Sequence, residues 1–133
     1  MSRPTEVAEP VRRFVERQLE SVEQLEIVLL LRREQSRFWD PRAVAMTLQI
    51  VERRTAENLE ALASRGLLDV RIGTQVTYRY SPATPELARG MDRVAAAYSE
   101  HRVAVLALLM SRGRRSLRDF ADAFRLDPDR DDG

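Results

Sequence analysis

Between Phe38 and Pro82 the repeat of apolar residues changes from a helical spacing to an alternation of two, and the change falls at one glycine. Asp40 is placed to cap a helix whose first position is Pro41, where a missing N–H costs nothing. That helix is expected to bury Ala43, Val44, Met46 and Leu48 and to stop near residues 49–51. A second helix follows from about Glu52. Its apolar set Ala56, Leu59, Leu62 and Ala63 steps at helical intervals, and Gly66 stands just past its end, where a left-handed stop belongs. Beyond it Leu68, Val70 and Ile72 alternate with Asp69 and Arg71, Gly73 and Thr74 supply a turn, and Val76, Tyr78 and Tyr80 alternate with Thr77 and Arg79. The order is helix, turn, helix, hairpin.

That order is the winged helix-turn-helix. At 133 residues the chain is long enough for one compact core, read here as a single domain over 1–133. No run of eighteen apolar residues exists; the most apolar segment, Val103 to Met110, is too short to span a bilayer and is followed by Arg112, Arg114 and Arg115. The N-terminal MSRPTEVAEPVRR lacks the apolar stretch of a secretory signal, so a cytoplasmic protein without a membrane partner is expected. With no cysteine, disulfides, thiolate zinc sites and cysteine catalysis are excluded. All 22 basic residues are arginine, and the net charge is +1. Residues 36–82 hold seven Arg against five acids and are the only positive part of the chain. That is a small excess for a surface meeting phosphates.

Upstream, Val11 to Leu19 and Val22 to Leu31 read as helices, with Ser21 as cap and Gln24 three residues on to complete a capping box. The second of these is apolar nearly all round and is expected to be the first core helix. Gln35 to Trp39 would be a short edge strand or loop paired with the wing. Downstream, Thr84 caps Pro85 and no strong breaker occurs before Gly113, which predicts one helix of some 28 residues with Gly90 as its interior weakness. Leu87, Met91, Val94, Tyr98, His101, Val105 and Leu108 form a seam along it. A seam of this kind suits packing against Val11 to Leu19 or against the same helix of a second chain, so Val11, Phe14, Val15, Leu87, Met91, Val94, Tyr98, Val105 and Leu108 are candidate dimerisation residues. Ser116 would cap a last helix burying Leu117, Phe120, Ala121, Phe124 and Leu126. The fold class is thus mainly α with a small β-hairpin (α+β): a winged core over 22–82, flanking helices at 5–20 and 84–126, and an acidic tail at 127–133.

Catalysis has little to work with. One histidine, no Gly-rich phosphate loop and no His/carboxylate cluster at ligand spacing leave no candidate catalytic, cofactor or metal site. His101 reads as a packing or partly solvated side chain. Recognition of double-stranded DNA is the sharper reading. If the apolar set of the second helix faces the core, its opposite face presents Arg53, Arg54, Glu57, Asn58, Ala61 and Arg65. Arg53 and Arg54 suit guanine O6 and N7, Asn58 suits adenine N6 and N7, and Glu57 can accept from cytosine N4 while repelling phosphates. In the wing, Arg71, Thr74, Gln75 and Arg79 suit a backbone or minor-groove contact, and Arg37 and Arg42 suit phosphates near the preceding helix start.

The stretch NLEALASRGLLDVRIGTQVTYRYSP resembles bacterial winged helix-turn-helix regulators, most closely of the MarR type, in its leucine, Gly-Leu and wing ending in an aromatic strand. The resemblance implies a homodimer built by the flanking helices and a transcriptional regulator that places helix 52–65 in the major groove and the wing, 71–79, on the backbone or minor groove. Mixed charge on the reading face keeps open an alternative, a winged module that binds another protein without DNA.

Overall fold

The computed structural model describes residues 7–111 of the chain. The expected helix from Ser116 and the tail 127–133 lie outside the described residues. The elements run α1 (Glu9–Gln18), α2 (Val22–Arg33), α3 (Pro41–Leu48), α4 (Glu52–Ser64), β1 (Leu68–Ile72), β2 (Val76–Tyr80) and α5 (Pro85–Glu100), with a further helical segment over 102–111. The chain is a winged helix-turn-helix: three helices, a two-stranded antiparallel wing, and flanking helices on either side.

Local chemistry accounts for most of the element ends. Asp40 accepts from the Ala43 N–H at 2.7 Å ahead of Pro41, and Thr84 accepts from the Leu87 N–H at 3.2 Å ahead of Pro85. Ser21 accepts from the Gln24 N–H at 3.2 Å. The reciprocal half of the expected capping box is shifted by one residue, because the Gln24 side chain takes the N–H of Glu20 rather than that of Ser21. At the end of α4 the Gly66 N–H donates to Ala63 O and the Leu67 N–H to Leu62 O, the paired bonds of a Schellman stop, with Gly66 at φ +87°. The other stop is less expected. Gln49 ends α3 at φ 58°, a left-handed residue that is not glycine.

The core is centred on α2. Leu25, Ile27, Val28 and Leu31 are fully buried, and they meet Val44 of α3, Leu59 and Leu62 of α4, and Tyr78 and Tyr80 of β2 in one cluster. Each such aliphatic side chain contributes about 1.5–3 kcal/mol on leaving water. Trp39 enters the same cluster and exchanges two backbone bonds with Tyr78, 2.7 and 2.8 Å, so the expected edge segment adds a single rung to the wing. One expectation for burial fails. In α3 it is Ala45, not Met46, that is buried, and Met46 is 69% exposed, because the short helix turns only one narrow stripe to α2 and α4. In the wing, Leu68, Tyr78 and Tyr80 reach the core, while Val70, Ile72 and Val76 stay exposed, since the hairpin projects past the helices that could cover them.

The flanking helices pack on each other within one chain. Val11 and Val15 of α1 and Met91 and Val94 of α5 are buried in the main cluster, as is Val105 beyond. Of the two partners the seam suits, the structure has the one within the chain, Val11 to Leu19, with Phe14, Leu87, Tyr98 and Leu108 partly buried beside it. Gly90 is no weakness. A Cβ there would lie 2.2 Å from the Phe14 ring, so the glycine is what lets α1 and α5 approach. The predicted single long helix is broken at His101, which has φ −136° and ψ 56°. Residues 99–103 are all exposed, and a straight helix lying along a core would have turned one of them inward. His101 accordingly sits in solvent rather than in a seam.

Gly90→Ala is expected to lower the unfolding free energy by about 1–3 kcal/mol, as overpacking does. Chemical denaturation should show the loss, and it should shrink in a Phe14→Ala background where the ring is gone. A second expectation concerns alkali. Burial pushes the Tyr78 phenol above its ordinary value, with Glu60 adding to the rise. Burial likewise raises Tyr80, against Arg32, which lowers it, and with Asp92, which raises it. A pKa raised on folding leaves the stabilisation intact below about pH 10, where both states are neutral, and loses it as pH climbs through the folded value. Unfolding free energy measured from pH 8 upward should fall above about pH 10, and Tyr78→Phe/Tyr80→Phe should flatten that fall.

Candidate nucleic-acid interface

The turn between α3 and α4 spans three residues and sets the second helix against α2 through Thr55, Leu59 and Leu62, all fully buried. Thr55 was not foreseen as an inward residue. Its hydroxyl donates to Val51 O at 2.9 Å, which satisfies it and lets a polar side chain occupy a core-facing position. With that face fixed, Glu52, Arg53, Arg54, Glu57, Glu60 and Ser64 are exposed. Glu60 lies in the third turn of α4, and its charge adds to the rise that burial gives the Tyr78 phenol. Among the described residues, Arg42 and Arg53 have no ion-pair partner.

Two residues expected on the open face are turned toward α2 instead. Arg65 donates to Gln18 O at 2.9 Å and to Gln24 Oε1 at 3.0 Å, and pairs with Glu20. Asn58 is half-buried and uses both ends of its amide inside the chain: Oδ1 accepts from Gln24 Nε2 at 3.2 Å and Nδ2 donates to Glu23 Oε1 at 3.4 Å. The amide orientations are forced. The backbone N–H of Glu20 can only donate, so the Gln24 oxygen must face it at 2.9 Å; the Gln24 nitrogen then faces Asn58, which must offer oxygen there and nitrogen to a carboxylate. An adenine edge would need the same two atoms of Asn58. Arg54, one turn earlier, reaches Glu23 Oε2 with Nη2 at 3.1 Å and is 59% exposed.

The wing presents its second face to solvent. Arg71 and Arg79 lie diagonally across the strand pair, and both stack on Phe38, at 3.9 and 4.6 Å from the ring centroid. Arg79 also pairs with Asp69 across the hairpin at 3.5 Å. Arg37 stacks on Trp39 at 3.6 Å. Phe38 and Trp39 therefore point to opposite sides of the same strand rung, one inward as core and one outward as a platform for two guanidiniums. The signal for this was in the sequence, since neighbours in an extended segment alternate faces. Thr74 and Gln75 are exposed at the wing tip, beside the apolar Ile72.

Thus the first turn of α4 gathers Arg53 and Arg54, and the wing gathers Arg71 and Arg79 on Phe38. Asn58 and Arg65 belong to the α2–α4 packing. What sequence reasoning missed at this surface is the pair Glu23 and Gln24, because their partners lie 31 to 41 residues away along the chain. Among the described residues no helix is long and apolar enough to cross a membrane, and no group of three His, Cys, Asp or Glu side chains is placed to hold a metal.

No family model matches the chain, and no curated protein does. Its fold is similar to the solved homodimeric winged helix-turn-helix DNA-binding domain, fragment 1–100, of a possible ArsR-family transcriptional regulator from Mycobacterium bovis. The match has a TM-score of 0.52 and 29% identity, over 67% of this chain and 79% of that one. The helix order, the wing and this likeness agree on a winged helix-turn-helix domain.

Proposed function

We propose that this chain is a DNA-binding transcriptional regulator that acts as a homodimer. The observation that carries the reading is the likeness to a homodimeric DNA-binding domain, at 29% identity over 67% of the chain. The geometry supports it. The exposed arginines at the start of α4 stand where a recognition helix meets base edges, and Arg71 and Arg79, held flat on Phe38, stand where a wing meets phosphate or the minor groove. Arg42, exposed at the first turn of α3, and Arg37, stacked on Trp39, add phosphate contacts. Both MarR-type and ArsR-type regulators are winged, and the wing resembles the first while the solved neighbour is described as possibly the second.

Because one chain already buries Val11, Val15, Met91, Val94 and Val105, the dimer surface we propose lies beside the seam. Val103 and Met110, 73% and 55% exposed, lie with Ala107 on one stripe of the 102–111 helix and offer an apolar face to a second copy. Two recognition helices so joined would reach successive major grooves if they sat about 34 Å apart. A second reading, a module that binds another protein, draws on the exposed apolar wing residues Val70, Ile72 and Val76.

Fluorescence titration against pooled genomic fragments should give binding that weakens steeply with salt. Arg53→Ala should cost about 1–3 kcal/mol on a selected fragment, and Arg71→Ala should weaken all fragments alike. Failure of folded protein to retain any fragment at low salt would overturn the DNA reading in favour of a protein partner. Light scattering at micromolar concentration should give twice 15.3 kDa for the native chain, and Val103→Arg should shift it toward a single chain. A native mass of one chain would refute the dimer.

A further inference from the structure

The first turn of α4 is tied to α2 by a polar network that reaches the surface. Glu23, on α2, spends one carboxylate oxygen on Arg54 and the other on Asn58. Its own side chain is 28% exposed, while that of Arg54 is 59% exposed, so the acid is set back and the guanidinium reaches outward over it. The acid is also held from behind. Asn58 is oriented by Gln24, which is 4% exposed, and Gln24 by the Glu20 N–H and by Arg65. A chain of hydrogen bonds with only one consistent set of amide orientations thus ends on a single surface arginine.

We infer that Glu23 is a positioning residue: it holds Arg54 so that the free edge of its guanidinium meets a guanine, and Asn58 serves the hold rather than reading a base. This rests on the DNA reading above. A guanidinium has five N–H donors, and one nitrogen on Glu23 leaves the remainder of the fork for O6 and N7. A long side chain left loose at a helix start would lose rotamer freedom on binding, whereas one already held loses less. The carboxylate also occupies a guanidinium nitrogen that would otherwise be open to any phosphate, so it disfavours indiscriminate contact. One acid therefore raises the ratio of specific to non-specific binding from both sides.

The test uses the full chain and two duplexes: one recovered by the native protein from a random-sequence pool, and an unselected random duplex. Affinities are measured for native protein, Glu23→Gln, Glu23→Asp, Arg54→Ala and Glu23→Gln/Arg54→Ala, with thermal melts confirming that each variant is folded. Glu23→Gln should lower the specificity ratio at least about fivefold, with unchanged or tighter binding to the random duplex. Glu23→Asp, which keeps the charge but withdraws the carboxylate, should lower the ratio while leaving random-duplex binding unchanged. The effect of Glu23→Gln should not survive in the absence of the Arg54 side chain. Equal tightening on both duplexes would make Glu23 a mere competitor for Arg54 and overturn the inference. Equal weakening would reduce it to packing, and no change would remove it altogether. Native protein that selects no sequence at low salt overturns the DNA reading and this inference with it, whereas selection that ignores Glu23 overturns the inference alone.

Discussion

Removing α2 from water is the event on which the rest of this structure depends. A helix apolar nearly all round has no stable solvated state, so every neighbour is placed by the need to cover it. Val44, Leu59 and Leu62 cover it from the helix-turn-helix, and Tyr78 and Tyr80 from the wing. Because α3 and α4 both lie on the same buried helix, the angle between them is a packing consequence and does not rest on the three-residue turn alone. The wing is held in the same way at its base only. That is why its tip, with Ile72 82% exposed, stands clear of the body and is available for contact.

The polar residues at the edge of this packing tie the buried layer to the outer surface. Where α2 meets α4, the sequence supplies Glu20, Glu23 and Gln24 against Arg54, Asn58 and Arg65, and these close into one network at the rim of the core. Exposed ion pairs are worth little to stability, typically about 0–1 kcal/mol, so the value of this rim lies in geometry. It fixes which polar side chains of α4 remain free. Arg53 stays open to solvent, Arg54 is held at one edge, and Asn58 is withdrawn. The wing achieves a similar end by stacking, with Phe38 beneath two arginines.

Features governed by near neighbours were legible in the chain before the fold was seen. Asp40 and Thr84 before Pro41 and Pro85, Gly66 after α4, and the period of two through the wing each involve residues a few positions apart, and each appears where expected. The errors have a common cause. Thr55 buried, Met46 exposed, Asn58 turned away and His101 at a break all depend on which neighbour covers which stripe. Gly90 was misread for the same reason: in the sequence it is a poor helix former, and in the fold it is the space occupied by Phe14.

By itself the sequence determined the kind and order of the elements, because helix caps, glycine stops and side-chain periodicity act over one or two turns of backbone. It also determined that the Val22 to Leu31 helix must be buried and that positive charge collects between residues 36 and 82. The tertiary structure alone decided that the seam of α5 is used within the chain, that Glu23 and Gln24 belong to the same surface as Arg54, and that Phe38 carries two wing arginines. Those outcomes join residues far apart along the chain, and their energies appear only when the shared core has brought the helices together.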